Sequence, residues 1–438
     1  MAFIPRERKS LLSSQARIQA PWIKVTIGTY TFGVFDKKGK GNAKDNNGAY
    51  TDYGVQYPNY VERLTVAKIN GQINQYTLRL TYPIRQFDDP NFFEKVFSSV
   101  SKTRKIIFSY GDSSMPAYCY KNEEAIITKV TQQFNLQSSS ITYTVSATST
   151  AIKGQVGNFT FPAPDTAVQP SSIILDVLTN TTYSLQTIFT GMSKENFNTL
   201  IDRTDQAVVL QTKTNISPLD YISYLVSCMI PAGSTVNSIS KDIYVLTVHD
   251  DTVFDPTYDQ DAVKGGPYFK VTRTSYVSEQ SDAYEVDIGY NTANIVSNFS
   301  VTNDENYSIL YNYSNKLYPD EYVRRLDSNG QWVDVFAPTF TSGNDKFLTH
   351  SNDTTWYTKL TKYPVSATIT IQGLLRPATL MQYLRLNVIF PGGHKHISSG
   401  LYIVTKQVDD ISSDGYKTTL SLTKISGDRE VKINPNAE

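Results

Sequence analysis

Apolar and polar positions alternate along much of the chain. Tyr76, Leu78, Leu80 and Tyr82 are separated by Thr77, Arg79 and Thr81, a period of two that turns one set inward and the other outward. Another strand is expected over 64–68. Asn70-Gly71 lies between the two and can supply the positive φ angles of a hairpin turn, in a loop of two or more residues. A short helix is predicted next. Asp89 can cap it, Pro90 fits its first turn, and Phe92, Phe93, Val96, Phe97 and Val100 recur on one face. Further strands are expected at 105–110, 125–134 and 141–147. Residues 22–153 therefore read as a strand-rich barrel with one helix. A Gly-, Lys- and Asn-rich segment at 36–53 interrupts it as an extended loop.

The period changes afterwards. Residues 154–172 carry Pro162, Pro164 and Pro170 and read as a linker. From 173 to about 229 the apolar spacing is helical. Ser217-Pro218 followed by Leu219, Tyr221, Ile222, Leu225 and Val226 is a capped amphipathic helix, ended by Pro231-Ala232-Gly233. Strands at 243–248 and 268–273 complete an α+β middle domain, 173–280. Alternation returns at Val286, Ile288 and Tyr290 and at Ile309, Tyr311 and Tyr313. Residues 314–360 form an irregular insertion with turn signals at Asn329-Gly330 and Ser342-Gly343-Asn344. Strands follow at 365–371, 384–390, 401–408 and 416–422, with a helical turn at 377–382. Residues 281–313 with 361–428 read as a second barrel. An N-terminal arm, 1–21, and a tail, 429–438, flank the whole.

Two stretches repeat. Ile127-Thr128-Lys129 leads to Phe134, a polar turn, and Ile141 to Val145. Val404-Thr405-Lys406 leads to Ile411, a polar turn, and Tyr416 to Leu420. The Lys-to-apolar spacing is the same, and each strand pair closes its region. Two related β-barrels, one at each end of the chain, are the expectation. The fold class is mainly β with an α+β middle.

Composition narrows the function. The chain of 438 residues holds 41 basic and 41 acidic side chains, a net charge of zero. A general nucleic-acid coat needs a basic excess and is excluded. No apolar stretch approaches the length of a membrane span, and the first 22 residues lack the long apolar run of a secretory signal. The 30 tyrosines suit both strands and broad interfaces. Cys119 and Cys228 read as two buried free thiols rather than a disulfide framework.

Catalytic patterns are missing. There is no Gly-X-Ser-X-Gly elbow, no phosphate-binding Gly-Lys-Ser/Thr loop and no His-Glu-X-X-His pair. His394 and His396 would face one side of a strand, but no Asp, Glu or Cys stands near them, so a polar hairpin loop is expected. Asp250, Asp251, Asp255, Asp259 and Asp261 could offer oxygen ligands to a hard cation, but Val263 and Lys264 break the EF-hand order. An open, solvated loop is expected there. Glu123-Glu124 and Asp88-Asp89 are sequence neighbours that point to opposite faces, so neither is a natural acid–base dyad. No catalytic, cofactor-binding or metal-ligating residue is assigned, and no enzyme activity is expected.

The chain resembles a known family. Gly373-Leu-Leu-Arg-Pro377, the strand 386–390, Ser399-Gly400-Leu-Tyr-Ile-Val404 and Asp409-Asp410-Ile-Ser-Ser-Asp-Gly415-Tyr-Lys-Thr-Thr-Leu-Ser-Leu422 resemble the closing barrel of phage tail hub proteins. Val286-Asp-Ile-Gly-Tyr290, Asn294-Ile-Val296, Phe299-Ser300 and Asn303-Asp304 are similar to hub proteins of contractile-tailed phages. Ile216-Ser-Pro-Leu-Asp-Tyr-Ile222 looks like their second domain. The insertions 36–53 and 314–360 lie outside the resemblance. It implies two tail-tube-like barrels per copy and a homotrimer forming a pseudo-sixfold ring, as in type VI secretion spikes of the VgrG kind. Such a ring joins the sixfold tail tube to the threefold central spike. It implies contacts with the tube, spike, baseplate wedge and tape measure proteins, and a channel through which DNA passes without specific binding. It also implies a late, structural virion protein of the tail baseplate, assembled in the host cytoplasm, active in DNA ejection, with no membrane partner. Two other functions stay open on the sequence. One is a tail-associated cell-wall hydrolase with its chemistry in 314–360 or the acidic loop. The other is a carbohydrate-binding receptor protein using Trp332 and Trp356.

Overall fold

A computed structural model describes residues 21–34, 43–44, 50–51, 57–58, 60–83, 92–98, 104–112, 120–135, 137–192, 197–204, 207–229, 243–250, 266–274, 284–289, 296–303, 325–326, 332–333, 365–373, 380–381, 383–390, 394–396 and 398–427. The first region contains β1 (Pro21–Ile27), β2 (Tyr30–Val34), the short β3 (Ala43–Lys44), β4 (Tyr50–Thr51) and β5 (Tyr57–Pro58), then β6 (Val61–Ile69) and β7 (Gln75–Pro83). It continues with α1 (Phe92–Ser98), β8 (Lys105–Asp112), β9 (Tyr120–Asn135) and β10 (Ser140–Ser149).

The alternation in β7 places Tyr76, Leu78 and Leu80 in the core, with Thr77 and Arg79 outside. Gly71, at φ +67, sits in the five-residue connection between β6 and β7, where a side chain would be strained. On α1, Phe92, Phe93 and Val96 are buried. Phe93 stacks on Phe32 of β2 and on Tyr143 of β10, at 5.9 and 4.5 Å between ring centroids, so the helix packs over the strands as its apolar face requires. Asp89, Pro90 and Val100 lie outside the described residues.

The middle region differs from the sequence reading at 154–172. A 3-10 turn (Thr150–Gln155), β11 (Phe159–Phe161) and the start of α2 (Pro170–Thr179) occupy that stretch. Phe161 is buried and stacks on Tyr221 at 3.9 Å, so apolar burial holds a segment that its prolines mark as a linker. Pro170 opens α2, where no backbone N–H is needed. Then come α3 (Leu185–Ile188), α4 (Phe197–Leu200), β12 (Lys213–Ile216), α5 (Pro218–Ser227), β13 (Ile243–His249) and β14 (Tyr268–Thr274). Ser217 caps α5 as expected, its hydroxyl accepting from the Asp220 N–H at 3.2 Å. Pro231-Ala232-Gly233 lies outside the described residues.

The last region holds β15 (Tyr284–Gly289), β16 (Val296–Asn303), the short β17 (Arg325–Leu326) and β18 (Trp332–Val333), β19 (Val365–Gln372), β20 (Tyr383–Ile389), β21 (Gly400–Ser412) and β22 (Gly415–Gly427). The expected strand at 309–313, nearly all of the insertion 314–360 and most of the turn 377–382 lie outside the described residues.

The expected repeat has a counterpart in strand order. The first unit runs β6-β7-β10-β9-β8-β1-β2-β5. The second runs β16-β19-β22-β21, with β20 on β21 and β15 on β20. The two orders match strand for strand from β6 to β1 and from β16 to β15. They differ in one direction, because β1 pairs β8 antiparallel whereas β15 pairs β20 parallel. Each unit keeps its own apolar core, and the middle region has a third. The units are not isolated from each other. β21 also pairs with β6, so both belong to one 14-stranded sheet.

Candidate functional site

The join between the units is built by one long hairpin. The first part of β21 pairs with β20, from Gly400 to Ile403. Its far part, on the same edge, pairs antiparallel with β6, with Lys406 opposite Ile69, Ile411 opposite Leu64 and Ser412 opposite Arg63. Asn70 N donates to Thr405 O at 3.1 Å, and Arg63 Nε donates to Asp410 Oδ1 at 2.6 Å. Ile411 and Tyr416 enter the core of the first unit, both almost fully buried.

The corresponding hairpin of the first unit, β9–β10, is built the same way. β9 pairs with β8 from Tyr120 to Ile126. Beyond Ile127 that edge of β9 has no strand beside it among the described residues. Phe134, the counterpart of Ile411, is 58% exposed, and Val130 is 39% exposed. On the second unit, β16 corresponds to β6. Among the described residues it pairs only with β19, and Val301 on it is 38% exposed. Five large hydrophobic side chains are exposed among the described residues: Val130, Phe134, Val156, Val301 and Phe390. The first, second and fourth of these lie on the two open edges.

A second feature lies under the join. Lys68 of β6 and Glu123 of β9 form a buried ion pair, Nζ to Oε1 2.8 Å, and the ammonium also stands 3.8 Å from the Tyr120 ring centroid. Glu123 Oε2 accepts from Tyr110 at 3.0 Å and lies 3.1 Å from Tyr76 Oη. Tyr76 Oη is also 2.9 Å from Oδ2 of Asp250, at the end of β13. Asn74 Nδ2 donates to the same oxygen at 2.7 Å, and Ser149 Oγ contacts Oδ1. From the second unit, Gln407 Nε2 donates to Tyr120 Oη at 3.1 Å and to Asp409 Oδ2 at 2.6 Å, while Thr418 donates to Asp409 Oδ1 at 2.7 Å. All three regions thus meet in one buried polar cluster, the second unit's part joined to the rest where the Lys68 ammonium stands over the Tyr120 ring. Burial away from water, with the Glu123 charge second, pushes the Asp250 carboxyl up to about 7. Burial likewise pushes Asp409 up to about 6, against the pull of Lys68. The Tyr76 and Tyr110 hydroxyls are held well above their usual range by burial and neighbouring carboxylates.

The sequence reading put Asp250 at the head of a solvated acidic loop. The structure buries it, 1% exposed, among donors from the β6–β7 connection and β10. Asp251, Asp255, Asp259 and Asp261 lie outside the described residues, as do Asp88 and Asp89. Glu123 and Glu124 face opposite sides. Glu123 is in the cluster, and Glu124 pairs with Lys105 at 2.5 Å on a partly exposed surface. His394 is exposed. His396 contacts Ser398 through Nδ1 at 2.7 Å and packs edge-on to Phe390. Among the described residues no group of three or more His, Cys, Asp or Glu side chains could hold a metal ion. Cys228 is a buried cysteine, its thiol pushed up by burial, and Cys119 lies outside the described residues. No described helix is long and apolar enough to cross a membrane. The side chains of Trp332 and Trp356 are not among those described.

The cluster was not assigned from the sequence, yet it leaves a trace there. Lys68 follows Leu64 and Val66 on the inward phase of β6. Glu123 precedes Ala125 and Ile127 on that of β9, and Asp409 precedes Ile411 on that of β21. A charge on the buried phase of a strand needs a partner, and these three share one place.

No protein-family model matches the chain, and no curated protein matches it. Its structure is similar to solved structures of tail proteins. One is a tail protein from Neisseria meningitidis MC58, 11% identical, with TM-score 0.48 over 92% of this chain and 97% of that one. Another is a 43 kDa tail protein of prophage MuSo2 from Shewanella oneidensis, 9% identical, with TM-score 0.47 over 93% and 97%. A third is an E. coli component of the type VI secretion system that shows structural similarity to T4 bacteriophage tail proteins; it is 11% identical, with TM-score 0.46 over 86% and 77%.

Proposed function

We propose that the chain is a structural hub of a phage tail baseplate. In this reading it acts as a homotrimer whose two units per copy form a pseudo-sixfold ring between a sixfold tail tube and a threefold central spike. The observation that supports this best is the repeated edge. Within one chain, the second unit's hairpin docks on β6 of the first. The first unit's hairpin and the second unit's β16 carry the same two edges, open among the described residues. Open edges with apolar side chains are templates for further pairing. A step that joins unit to unit inside the chain can be repeated from chain to chain, and it closes into a ring when the rotation allows.

The register carries over. Ile411 sits opposite Leu64, Leu64 opposite Leu78 and Leu78 opposite Val145. In the second unit Leu420, the counterpart of Val145, sits opposite Ile369, and Ile369 opposite Phe299. Phe134 of one copy therefore falls opposite Phe299 of the next, with Val301 on the same face two residues on. The ring works mechanically, by matching symmetries and by leaving a passage for the tape measure protein and then DNA. A neutral chain suits a passage that does not hold DNA. Tube, spike and baseplate wedge proteins are the remaining partners, in the virion tail.

Native mass spectrometry with electron-microscopy class averages tests this. A threefold ring with an open centre is expected for the wild type, and dissociation for Phe134→Asp but not for Phe390→Asp. Cysteines introduced at Gln133 and Ser300 should cross-link between copies. A monomer at every concentration, or a ring indifferent to Phe134→Asp, would overturn the reading.

A further inference from the structure

Counting protons in the buried cluster leaves one contact without a donor. Tyr76 Oη lies within hydrogen-bond distance of two carboxyl oxygens, Glu123 Oε2 at 3.1 Å and Asp250 Oδ2 at 2.9 Å. A phenol has one proton and can donate to one of them. The other contact is a hydrogen bond only if that carboxyl is itself protonated. Glu123 already accepts from Lys68 and Tyr110, two donors that favour the ionised form. Among the described residues Asp250 has only neutral donors, Asn74 and the Ser149 hydroxyl. The proton therefore belongs on Asp250, which donates to Tyr76, which donates to Glu123.

We propose that Asp250 is a proton-operated latch, which holds the middle region against the first strand unit when protonated and releases it when ionised. Removal of its proton leaves two buried carboxylates facing one phenol, with Lys68 already engaged by Glu123. Other groups packed here are Tyr110 of β8, Tyr120 of β9 and Asp409 of β21, which is held by Gln407 and Thr418. On β13 itself, His249 stacks on Tyr268 of β14 at 4.9 Å and reaches Thr247 through Nε2 at 2.9 Å. The backbone crosses the same junction, since Gly71 N donates to Leu246 O at 3.1 Å. Ile73 of that loop enters the middle core. Because this latch lies within a single chain, it stands or falls independently of the ring.

The sign follows from linkage. The folded carboxyl binds its proton more tightly than the unfolded one, about 7 against 3.8. Docking is therefore strongest below the unfolded value and weakens as pH rises, reaching its floor above about 7. The opening equilibrium should rise by up to about tenfold per pH unit in that window, and by about fiftyfold between pH 5 and pH 7, where the rise flattens.

Hydrogen exchange of the peptide containing the Gly71 amide, corrected for intrinsic exchange chemistry, reads that equilibrium in the full-length protein. The wild type should open progressively from pH 5 to pH 7 and then level off. Asp250→Asn, whose amide can donate to Tyr76 once the Asn74 amide turns its oxygen toward it, should stay protected and flat, while His249→Gln should keep the wild-type slope. A flat wild type, an unchanged slope in Asp250→Asn, or a slope lost in His249→Gln would overturn the latch. Wild-type protein carrying carboxyl-labelled aspartate gives a readout without any variant. The buried carboxylic acid absorption of Asp250 should still be about half of one group at pH 7, where Asp409 is mostly ionised, and should vanish by pH 9; full ionisation by pH 7 would also overturn it.

Discussion

Replacing Lys68 by Met isolates the ion pair beneath the join. The side chain keeps its length and loses its charge. Lys68 and Glu123 are 5% and 0% exposed and 2.8 Å apart. At that separation an effective dielectric near 20 gives an attraction of roughly 6 kcal/mol, which offsets the cost of taking both charges out of water. Without the ammonium, the Glu123 carboxylate keeps, among the described residues, the hydroxyls of Tyr110 and Tyr76. Breaking a buried pair on one side costs about 3–5 kcal/mol, and the contact over Tyr120 is lost with it. Trp22, on β1 and mostly buried, reports unfolding of the first unit in a background with Trp332→Phe and Trp356→Phe. The urea midpoint should fall by at least about 1 M. The double variant Lys68→Met/Glu123→Gln should recover most of the loss, because a neutral pair of similar volume leaves no orphaned charge. A midpoint unchanged by Lys68→Met, or a double variant no more stable than the single one, would contradict this account of the pair.

Two further substitutions probe the frame that holds these edges. Gly289, at φ +117, ends β15, and a Cβ there would stand 2.2 Å from Ile389 O. Gly289→Ala should destabilise the parallel β15–β20 pairing by more than about 2 kcal/mol, seen as faster amide exchange confined to 284–289. Ser217→Ala removes the cap of α5 and should cost about 1 kcal/mol in urea titration, with Ser217→Thr, which keeps the hydroxyl that also donates to Asp220, close to wild type.

Local pattern made much of the fold legible. Alternation marked β7, β10, β19 and β22, and the Ser217-Pro218 start with its apolar spacing marked α5, because burial on one face imposes a period on a single segment. The repeated Lys-to-apolar spacing pointed to matching hairpins, and the strand orders correspond. Composition misled where it stood in for contacts. The proline-bearing stretch before α2 contains β11, whose Phe161 packs on Tyr221, a residue far along the chain.

Asp250 looked like the start of a solvated acidic run because the residues that follow it are acidic. Its burial depends on Asn74, Tyr76 and Ser149, which are distant in sequence. Residue order alone was enough to show which faces are apolar and that two similar strand units flank a helical middle. It could not show that β21 reaches past its own unit to β6, or that β9 and β16 keep the equivalent edges open among the described residues. Nor could it show that Lys68, Glu123, Asp250 and Asp409 converge under the join. Those facts came from the folded chain. A period is a property of consecutive residues, whereas strand pairing and the desolvation of a charge are set by whichever segments arrive alongside.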